Sequence, residues 1–262
     1  MEHSGNYHDI ATQFTHLGWA VVSHDHPACG FSVSAHTQPD HLPNNGVELL
    51  IHVTAYMDQW IRKKYTNLPV VRYAHSMGSF IALNATLNNT PADGLILTGF
   101  SYEPTWQLTI QKWLLNLLSI CFGASKPAHI AHAITFAPLN KPFTPKYSGY
   151  AWITRNIEKL KHYNMDPLCG NVASWGFFKV LTQLLINMNS IKKTALPPTL
   201  ILSGAFDTLS NYGKKVTRFI KKQKGANIQH HVIPDAHHKI EGDPNQDQAI
   251  KIIQTMLQSI KK

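Results

Sequence analysis

The sequence predicts an α/β fold in which a mostly parallel sheet is flanked by helices. Short apolar runs, typical of buried parallel strands, alternate with longer stretches of helical periodicity. Residues 101–198 contain no further strand pattern, and this stretch is too long for an ordinary connection, so it indicates a helical insertion. The chain has 262 residues, of which 44% are apolar and 15% charged, which is enough to form one large core.

The predicted elements follow one another from the first residues to the last. Helices are recognised by apolar residues that recur every three or four positions, and strands by short runs of apolar residues. In chain order we predict a helix over 7–16, a strand over 19–23, a helix over 47–65, a strand over 70–73, a helix over 77–88, a strand over 94–99, helices over 108–122 and 177–188, strands over 198–203 and 228–233, and a helix over 249–260.

The junction between the 70–73 strand and the helix after it organises the chain. Ser76 falls at the turn, and Ala74 and Gly78, two residues before and after it, are small. A serine between small residues at a strand-to-helix turn is typical of a nucleophile elbow, in which the turn lifts the hydroxyl out of the sheet. The backbone N–H of Met77, at the start of the helix, is the predicted first oxyanion donor.

Two later strands are followed by the partners that a serine nucleophile requires. Asp207 comes just after the 198–203 strand, and His238 comes just after the 228–233 strand. Parallel strands end at the same edge of a sheet, so these side chains are expected near Ser76. Serine needs a histidine to take its proton, and the histidine needs an acid to fix its tautomer. The sequence therefore predicts the catalytic triad Ser76, Asp207 and His238.

Several short motifs together resemble one enzyme family. The matching segments are 2–7 (EHSGNY), 25–32 (DHPACGFS), 75–78 (HSMG), 164–168 (NMDPL) and 204–207 (GAFD). With them the chain is similar to the monoacylglycerol lipase and lysophospholipase branch of the α/β hydrolases, also described as serine aminopeptidase S33-like. The resemblance implies an α/β-hydrolase fold with a core of residues 1–100 and 199–262. Residues 101–198 would form a helical cap, or lid, and the return to the core.

The resemblance also implies an activity. It indicates a serine hydrolase that cleaves carboxylic esters of lipids, monoacylglycerol or lysophospholipid, through an acyl-enzyme intermediate and without a cofactor. Two alternatives stay open: a small-ester hydrolase or aminopeptidase-like relative, and an inactive truncated remnant or non-catalytic binding protein with the same fold.

Two residues of the predicted triad have rivals nearby. The histidine of the family's motif fits His238 better than His237. Asp207 is preferred to Asp235 because it follows its own strand.

The helix predicted over 108–122 is apolar nearly all round. Such a helix is buried or faces lipid, so it indicates either packing of the cap on the core or an acyl-chain tunnel with a membrane-touching lid. The predicted substrate-binding residues of the cap are Leu108, Trp113, Leu114, Leu117 and Leu118. A lipid ester is the expected ligand, and peripheral contact with a membrane through the cap is a further expectation.

One part of the family pattern is absent from this sequence. The family has a strand and a His-Gly-x-Gly turn immediately before the segment that matches residues 2–7, and that turn supplies the second oxyanion N–H. This strand normally lies between those matching 19–23 and 70–73. We therefore expect an N-terminally truncated fold whose second oxyanion donor would lie upstream of Met1. In a chain that lacks this strand, the two flanking strands would pair directly with each other or leave a gap between them. The third possibility is that the gene product begins further upstream. We hypothesise the third, and we expect the chain as written to be poorly stable and weakly active.

Charge and cysteine content limit which binding partners and which cell compartment the sequence predicts. The 24 basic and 15 acidic residues give a net charge of +9, with the densest basic cluster over 214–224. We interpret that cluster as a solvated helix face, with contact to anionic lipid as the alternative; no nucleic-acid motif accompanies it.

Three cysteines without metal or redox spacing indicate a reducing compartment. No signal peptide or transmembrane span is apparent, so a cytoplasmic location is predicted. The sequence His24-Asp25-His26 lacks convincing ligand spacing, and no metal is predicted.

Overall fold

The sheet has four parallel strands in the computed structural model, which describes residues 2–33, 38–88, 90, 92–143, 149–189, 196–223 and 227–260. The strands are β1 (Val71–His75), β2 (Gly94–Thr98), β3 (Thr199–Gly204) and β4 (Ile228–Ile233), in that order across the sheet. Each pairs in parallel with the next, so all four end at the same edge. This sheet lies among helices and confirms the predicted α/β class with a mostly parallel sheet.

Helices cover both faces of the sheet. Within the described residues they are α1 (His8–His16), α2 (Gly46–Lys64), α3 (Met77–Leu87), α4 (Thr105–Phe122), α5 (His129–Asn140), α6 (Ile157–Met165), α7 (Trp175–Asn189), α8 (Lys214–Lys222) and α9 (Gln246–Ile260). Apolar side chains of α1 and α9 pack with residues of β2 and β3 in one buried cluster. Side chains of α2, α3, α7 and α8 form the other cluster. The central strands β2 and β3 are therefore buried on both faces, which explains their continuous apolar runs, whereas β4 at the edge is largely half-buried or exposed.

The described residues of the insertion over 101–198 form four helices, of which sequence patterns indicated two. α4 packs against α7, and α7 packs in turn against α3. α5 and α6 were not predicted, because α5 has no buried residue and α6 has only Leu160, so neither shows a clear apolar face. The division into core and cap stays a prediction. None of the helices formed by the described residues is long and apolar enough to cross a membrane.

The strand predicted over 19–23 is wrong. These residues form neither a strand nor a helix, although Trp19, Val21 and Val22 are typical strand residues. A strand is stabilised by a ladder of hydrogen bonds to a neighbour, and within the described part of the chain β1 pairs with β2 alone. Residues 19–23 and β1 line the same cavity instead of pairing with each other.

Candidate active site

Ser76 lies in a sharp turn between β1 and α3. Its backbone has φ 52° and ψ −121°, a positive φ that is uncommon for any residue except glycine and that stores strain at functional sites. The Ser76 N–H donates to the carbonyl of Thr98 on β2 at 2.9 Å. A Cβ placed on Gly78 would lie 3.8 Å from the methyl group of Ala74. The two small residues therefore face each other across the elbow, as the sequence pattern predicts.

The hydroxyl of Ser79 braces this turn from inside the protein. Ser79 is fully buried, and its Oγ lies 2.9 Å from the carbonyls of both Ala74 and Thr98. Met77, the predicted oxyanion donor, is the first residue of α3. N–H groups at the start of a helix have no intrahelical acceptor, so this amide is free to bind an anion. The second oxyanion donor, which the resemblance places upstream of Met1, stays a prediction.

Asp207 and His238 meet beside the carboxyl ends of β3 and β4. His238 Nδ1 lies 3.1 Å from Asp207 Oδ1, and both side chains are almost completely buried. Burial alone would raise the pKa of the Asp207 carboxyl. The charge of His238, with hydrogen bonds from His238, Ser210 and the Leu209 N–H, outweighs burial and lowers that pKa. An ionised Asp207 accepts a hydrogen bond from the Nδ1–H of His238, which keeps the proton on Nδ1 and leaves Nε2 as the basic nitrogen.

The ring of His238 is held between two other rings. The centroids of Trp152 and His75 each lie 4.7 Å from it. Burial and the neighbouring His238 lower the pKa of His75 well below its ordinary value, so His75 is neutral. Gly99 approaches the same rings with φ 57°, and a Cβ there would come within 2.7 Å of His238 Cε1. Glycine is therefore required at this point of closest approach.

The two alternative residues lie elsewhere in the same loop. His237 Nδ1 is 3.0 Å from the Ala151 carbonyl, and its backbone N–H donates to Asp243. Asp235 is exposed and forms an ion pair with Arg155 at 3.1 Å. The structure thus pairs His238 with Asp207, and it leaves Asp235 facing solvent.

Ser76 and His238 open onto one cavity of about 1470 Å³. Among the described residues, His238 Nε2 has no hydrogen-bond partner, so it is not bonded to Ser76 in this structure. Such a bond often tightens only when substrate binds. One part of the cavity, here called the cap chamber, lies under the insertion and is lined by Leu108, Leu114, Leu118, Phe136, Leu181 and Leu185. Trp113 and Leu117, also predicted as substrate-binding residues, do not line the cavity and are exposed on α4.

One group of side chains in the described chain has the composition of a metal site. Ligand atoms of His3, Asp166 and Cys169 lie within 4.8 Å of one another. They already interact with protein groups: His3 Nε2 lies 2.7 Å from Asp166 Oδ2, and Cys169 Sγ accepts from Asn6 at 3.1 Å. Burial raises the pKa of the Cys169 thiol to about 11, so the thiol keeps its proton at neutral pH. We interpret this group as a hydrogen-bonded cluster that ties the N-terminal residues to the end of α6.

The family model for serine aminopeptidase S33 matches residues 1–245. The chain belongs to this family. Among curated proteins it is similar to a monoglyceride lipase homolog of Monkeypox virus, with 26% identity over 214 residues, or 80% of this chain and 68% of that protein. It is also 26% identical over 220 residues to the monoglyceride lipase of Homo sapiens, covering 79% of this chain and 62% of that protein.

A solved structure shows the same fold. The S33-family chain superposes on a thermostable carboxyl esterase from Bacillus coagulans with a TM-score of 0.88 and 18% identity, covering 100% of this chain and 87% of that one. Family and relatives together identify a hydrolase of the lipase and esterase type, which confirms the resemblance read from the motifs.

Two polar groups of this S33-family hydrolase were not predicted from its sequence. Asp243 is buried, and it accepts hydrogen bonds from the Thr154 hydroxyl and from the backbone N–H of His237, the residue before His238. Lys239, the residue after His238, forms an ion pair with Glu2 at 2.7 Å. Asp243 has no sequence signal, whereas Glu2 lies in a segment that matches the family and could have been suspected.

Proposed function

We propose that this protein is a serine hydrolase that cleaves carboxylic esters of lipids, with a monoacylglycerol or a lysophospholipid as substrate. The observation that carries the proposal is a strained serine elbow and a buried histidine–aspartate pair that open onto one largely apolar cavity. The names of the two curated relatives support a monoacylglycerol as the first substrate to test.

In the proposed reaction Ser76 attacks the ester carbonyl while His238 Nε2 takes the hydroxyl proton. Asp207 keeps the Nδ1 proton in place and stabilises the imidazolium that forms. The Met77 N–H, at the positive end of α3, stabilises the negative oxygen of the tetrahedral intermediate. The proton then passes from His238 to the leaving alcohol, which leaves an acyl group on Ser76. Water, activated by His238, hydrolyses this acyl-enzyme.

The cap chamber supports a long acyl chain. Its lining residues from α4, α5 and α7 are almost entirely apolar, and they continue directly from the serine elbow. Burying each methylene group contributes about 0.8 kcal/mol, so a chamber of this kind favours longer chains up to its depth. A small soluble ester would leave most of this apolar surface unused.

Exposed apolar side chains of the insertion support contact with a lipid surface. Those on α4 and α5 are Trp106, Ile110, Trp113, Ile120, Ile130 and Ile134, each at least 60% exposed. Trp106, Ile110, Ile130 and Ile134 also line the cavity, so the exposed surface is continuous with it. α4 carries Lys112 as its single charged residue, and α5 carries none. Apolar patches of this extent mark interaction sites. This exposure favours a membrane-touching lid over simple packing of the cap on the core.

The triad is tested by labelling with a fluorophosphonate probe and by ester turnover. Ser76→Ala should abolish labelling, and Ser76→Ala and His238→Ala should each lower kcat by several orders of magnitude. Ser101→Ala, at another serine of the same cavity, should still be labelled at Ser76. A folded wild-type protein that is not labelled would favour a non-catalytic role. Loss of activity in His237→Ala with full activity in His238→Ala would contradict the assignment of the base.

The acyl-chain proposal is tested with two neighbouring leucines. Leu118 lines the cap chamber and Leu117 does not, so Leu118→Trp should reduce kcat/KM for decanoyl esters while sparing acetyl esters. Leu117→Trp adds the same bulk outside the chamber and should leave the chain-length profile unchanged. Equal profiles for both variants, or highest efficiency on acetate in the wild type, would refute a long-chain site. Monoacylglycerol and lysophosphatidylcholine with the same acyl group then distinguish the two head groups.

Membrane contact is tested by sedimentation with phosphatidylcholine vesicles. The double substitution Trp113→Ser and Ile120→Ser removes two exposed side chains of α4 and should reduce binding by roughly tenfold or more. Tyr56→Ser removes a comparably exposed aromatic side chain from α2, which lies outside the insertion, and it should leave vesicle binding unchanged. Equal effects of the two changes would contradict a lid that contacts lipid.

A further inference from the structure

Helix α8 is the most basic helix that the described residues form. Five of its nine side chains are basic, and none is acidic. The basic residues are Lys214, Lys215, Arg218, Lys221 and Lys222. Val216 and Phe219 of the same helix are fully buried in the core. The cations are therefore held on the remaining faces of a helix whose position in the fold is fixed.

Two of these cations contact the segment that leads into the insertion. Lys215 forms an ion pair with the carboxylate of Glu103. Lys222 donates a hydrogen bond to the Tyr102 hydroxyl, and its Nζ lies 5.1 Å from the centroid of the Tyr102 ring. Because α4 begins at Thr105, these contacts place α8 beside the chain that enters the cap.

The other three cations form a row on another face of α8. Lys214, Arg218 and Lys221 are spaced by four and three residues, so they lie on one face of the helix. This face is about 100° around the helix axis from Lys215, and all three residues are exposed. None of them forms an ion pair within the part of the chain that the structure describes. We call them the cationic stripe. Like charges four residues apart destabilise a helix, so the stripe does not stabilise the fold.

Exposed apolar side chains of the insertion adjoin this basic helix. Glu103, the partner of Lys215, is three residues before Trp106, a distance of at most about 11 Å along the chain. Trp106 and Ile110 on α4 are 64% and 60% exposed. Lys215, Glu103, Trp106 and Ile110 all line the cavity onto which Ser76 opens. A cationic helix and an apolar surface therefore meet at one part of the cavity wall.

We propose that the cationic stripe binds the anionic surface of a lipid bilayer. Such a surface carries negative head groups next to apolar acyl chains, so it complements both the stripe and the neighbouring Trp106 and Ile110. A nucleic acid duplex would match the charge of the stripe but would leave these apolar side chains without a partner. Of the two interpretations that the sequence left open for this cluster, contact with anionic lipid is thus favoured over a solvated face. This binding does not depend on the proposed ester hydrolysis.

The test measures sedimentation of the whole chain with vesicles of phosphatidylcholine alone and with vesicles in which a third of it is replaced by phosphatidylserine. The stripe variant replaces Lys214, Arg218 and Lys221 by glutamine. Each basic side chain near an anionic surface contributes about fivefold to affinity, so this variant should bind the phosphatidylserine vesicles roughly a hundredfold more weakly. Its binding to phosphatidylcholine alone and its Tm should be unchanged, because all three positions are exposed. Salt at about 1 M, where the Debye length is about 3 Å, should remove the difference between wild type and variant.

The matched control replaces Lys63, Lys161 and Lys251 by glutamine. These lysines are exposed on α2, α6 and α9, so the control has the same net charge as the stripe variant and keeps the stripe. It should bind the phosphatidylserine vesicles nearly as tightly as the wild type. Equal weakening by the two triple variants would show that net charge alone matters, and it would overturn the proposal.

Two results with the wild type alone would also overturn the proposal. One is equal affinity for the two kinds of vesicle. The other is tighter binding to duplex DNA than to the phosphatidylserine vesicles, which would assign the stripe to nucleic acid. The double substitution Trp113→Ser and Ile120→Ser should weaken binding to both kinds of vesicle, whereas the stripe variant should weaken only the binding that needs phosphatidylserine. The two comparisons therefore separate the charge of the stripe from the apolar contact proposed for the cap.

Discussion

Replacing Asp243 by asparagine should lower turnover, although Asp243 contacts neither Ser76 nor His238. Asp243 is 2% exposed, and its Oδ1 accepts a hydrogen bond from the Thr154 hydroxyl at 2.6 Å and another from the Arg155 N–H. Its Oδ2 accepts from the backbone N–H of His237, the residue before the proposed base. One buried carboxylate thus joins the loop of the base to residues 154–155 of the insertion.

The size of the effect follows from counting acceptors. Asp243 accepts hydrogen bonds from three donors, which are the Thr154 hydroxyl, the Arg155 N–H and the His237 N–H. Asp243→Asn replaces one carboxylate oxygen by an NH₂ group, so one of these donors then faces another donor in a buried site. Losing a hydrogen bond to a charged group costs about 1.5–3 kcal/mol. Burial raises the pKa of the Asp243 carboxyl, so the neutral amide recovers part of the cost of burying a charge. We expect a net loss of about 1–3 kcal/mol, with a fall in Tm of about 2–4 °C for each kcal/mol.

The assay separates positioning of the base from loss of stability. A loop displaced by a fraction of an ångström should lower kcat by about ten- to a hundredfold at temperatures well below Tm, with KM little changed. Thr154→Val removes one donor and keeps the carboxylate, so it should have a smaller effect. Asp247→Asn makes the same chemical change at an exposed position of α9 and should have none. A lowered Tm with an unchanged kcat in Asp243→Asn would show that Asp243 is structural only.

Two further predictions concern the surroundings of the base. Gly99→Ala places a methyl group against His238, and it should lower kcat at least tenfold. Gly123→Ala, at φ 88° but with its nearest contact at 3.4 Å, should carry only the backbone cost of about 1 kcal/mol. Burial would raise the pKa of Glu2, but the charge of Lys239 and hydrogen bonds from Lys239 and Tyr7 outweigh burial and hold that pKa far below the ordinary 4.5. A lowered carboxyl pKa stabilises the folded state above the ordinary value, and this contribution is lost as pH falls through the folded-state pKa. The difference in unfolding free energy between wild type and Glu2→Gln, measured in urea, should therefore shrink below about pH 4.5; a constant difference would contradict the ion pair.

The parts of the fold that the sequence predicts well depend on local patterns. β2 and β3 are apolar runs buried along their whole length, and the observed bounds of all four strands differ from the predicted ones by at most a few residues. The elbow at Ser76 can be predicted from a strand, two small residues around the serine and the start of a helix, and all of these lie within nine positions of the chain. Asp207 and His238 lie next to each other because parallel strands end at one edge of the sheet. These features need no knowledge of distant contacts.

The features that could not be predicted depend on contacts between distant residues. Lys239 and Glu2 are separated by 237 positions, and no local pattern connects them. Asp243 follows a short 3-10 turn, where an acidic residue is ordinarily exposed to solvent. Residues 19–23 have the composition of a strand, but a strand forms only where a neighbouring strand offers its backbone. Composition predicts the residues that suit a sheet, and it does not predict whether a partner is present.

The nucleophile and the base are positioned by different parts of the chain. Ser76 is fixed by the sheet, through its hydrogen bond to Thr98. His238 is held from the insertion: its N–H donates to the Trp152 carbonyl at 3.3 Å, and the next N–H donates to the Ile153 carbonyl at 2.7 Å. The separation of Ser76 Oγ and His238 Nε2, which are not bonded here, therefore depends on how residues 151–155 sit against the sheet. Trp152 lines the same cavity as the cap chamber, so we expect a substrate bound there as proposed to change kcat as well as KM. Substitutions that line the chamber should consequently be judged by both constants, because an effect on kcat alone is the expected sign of a displaced base.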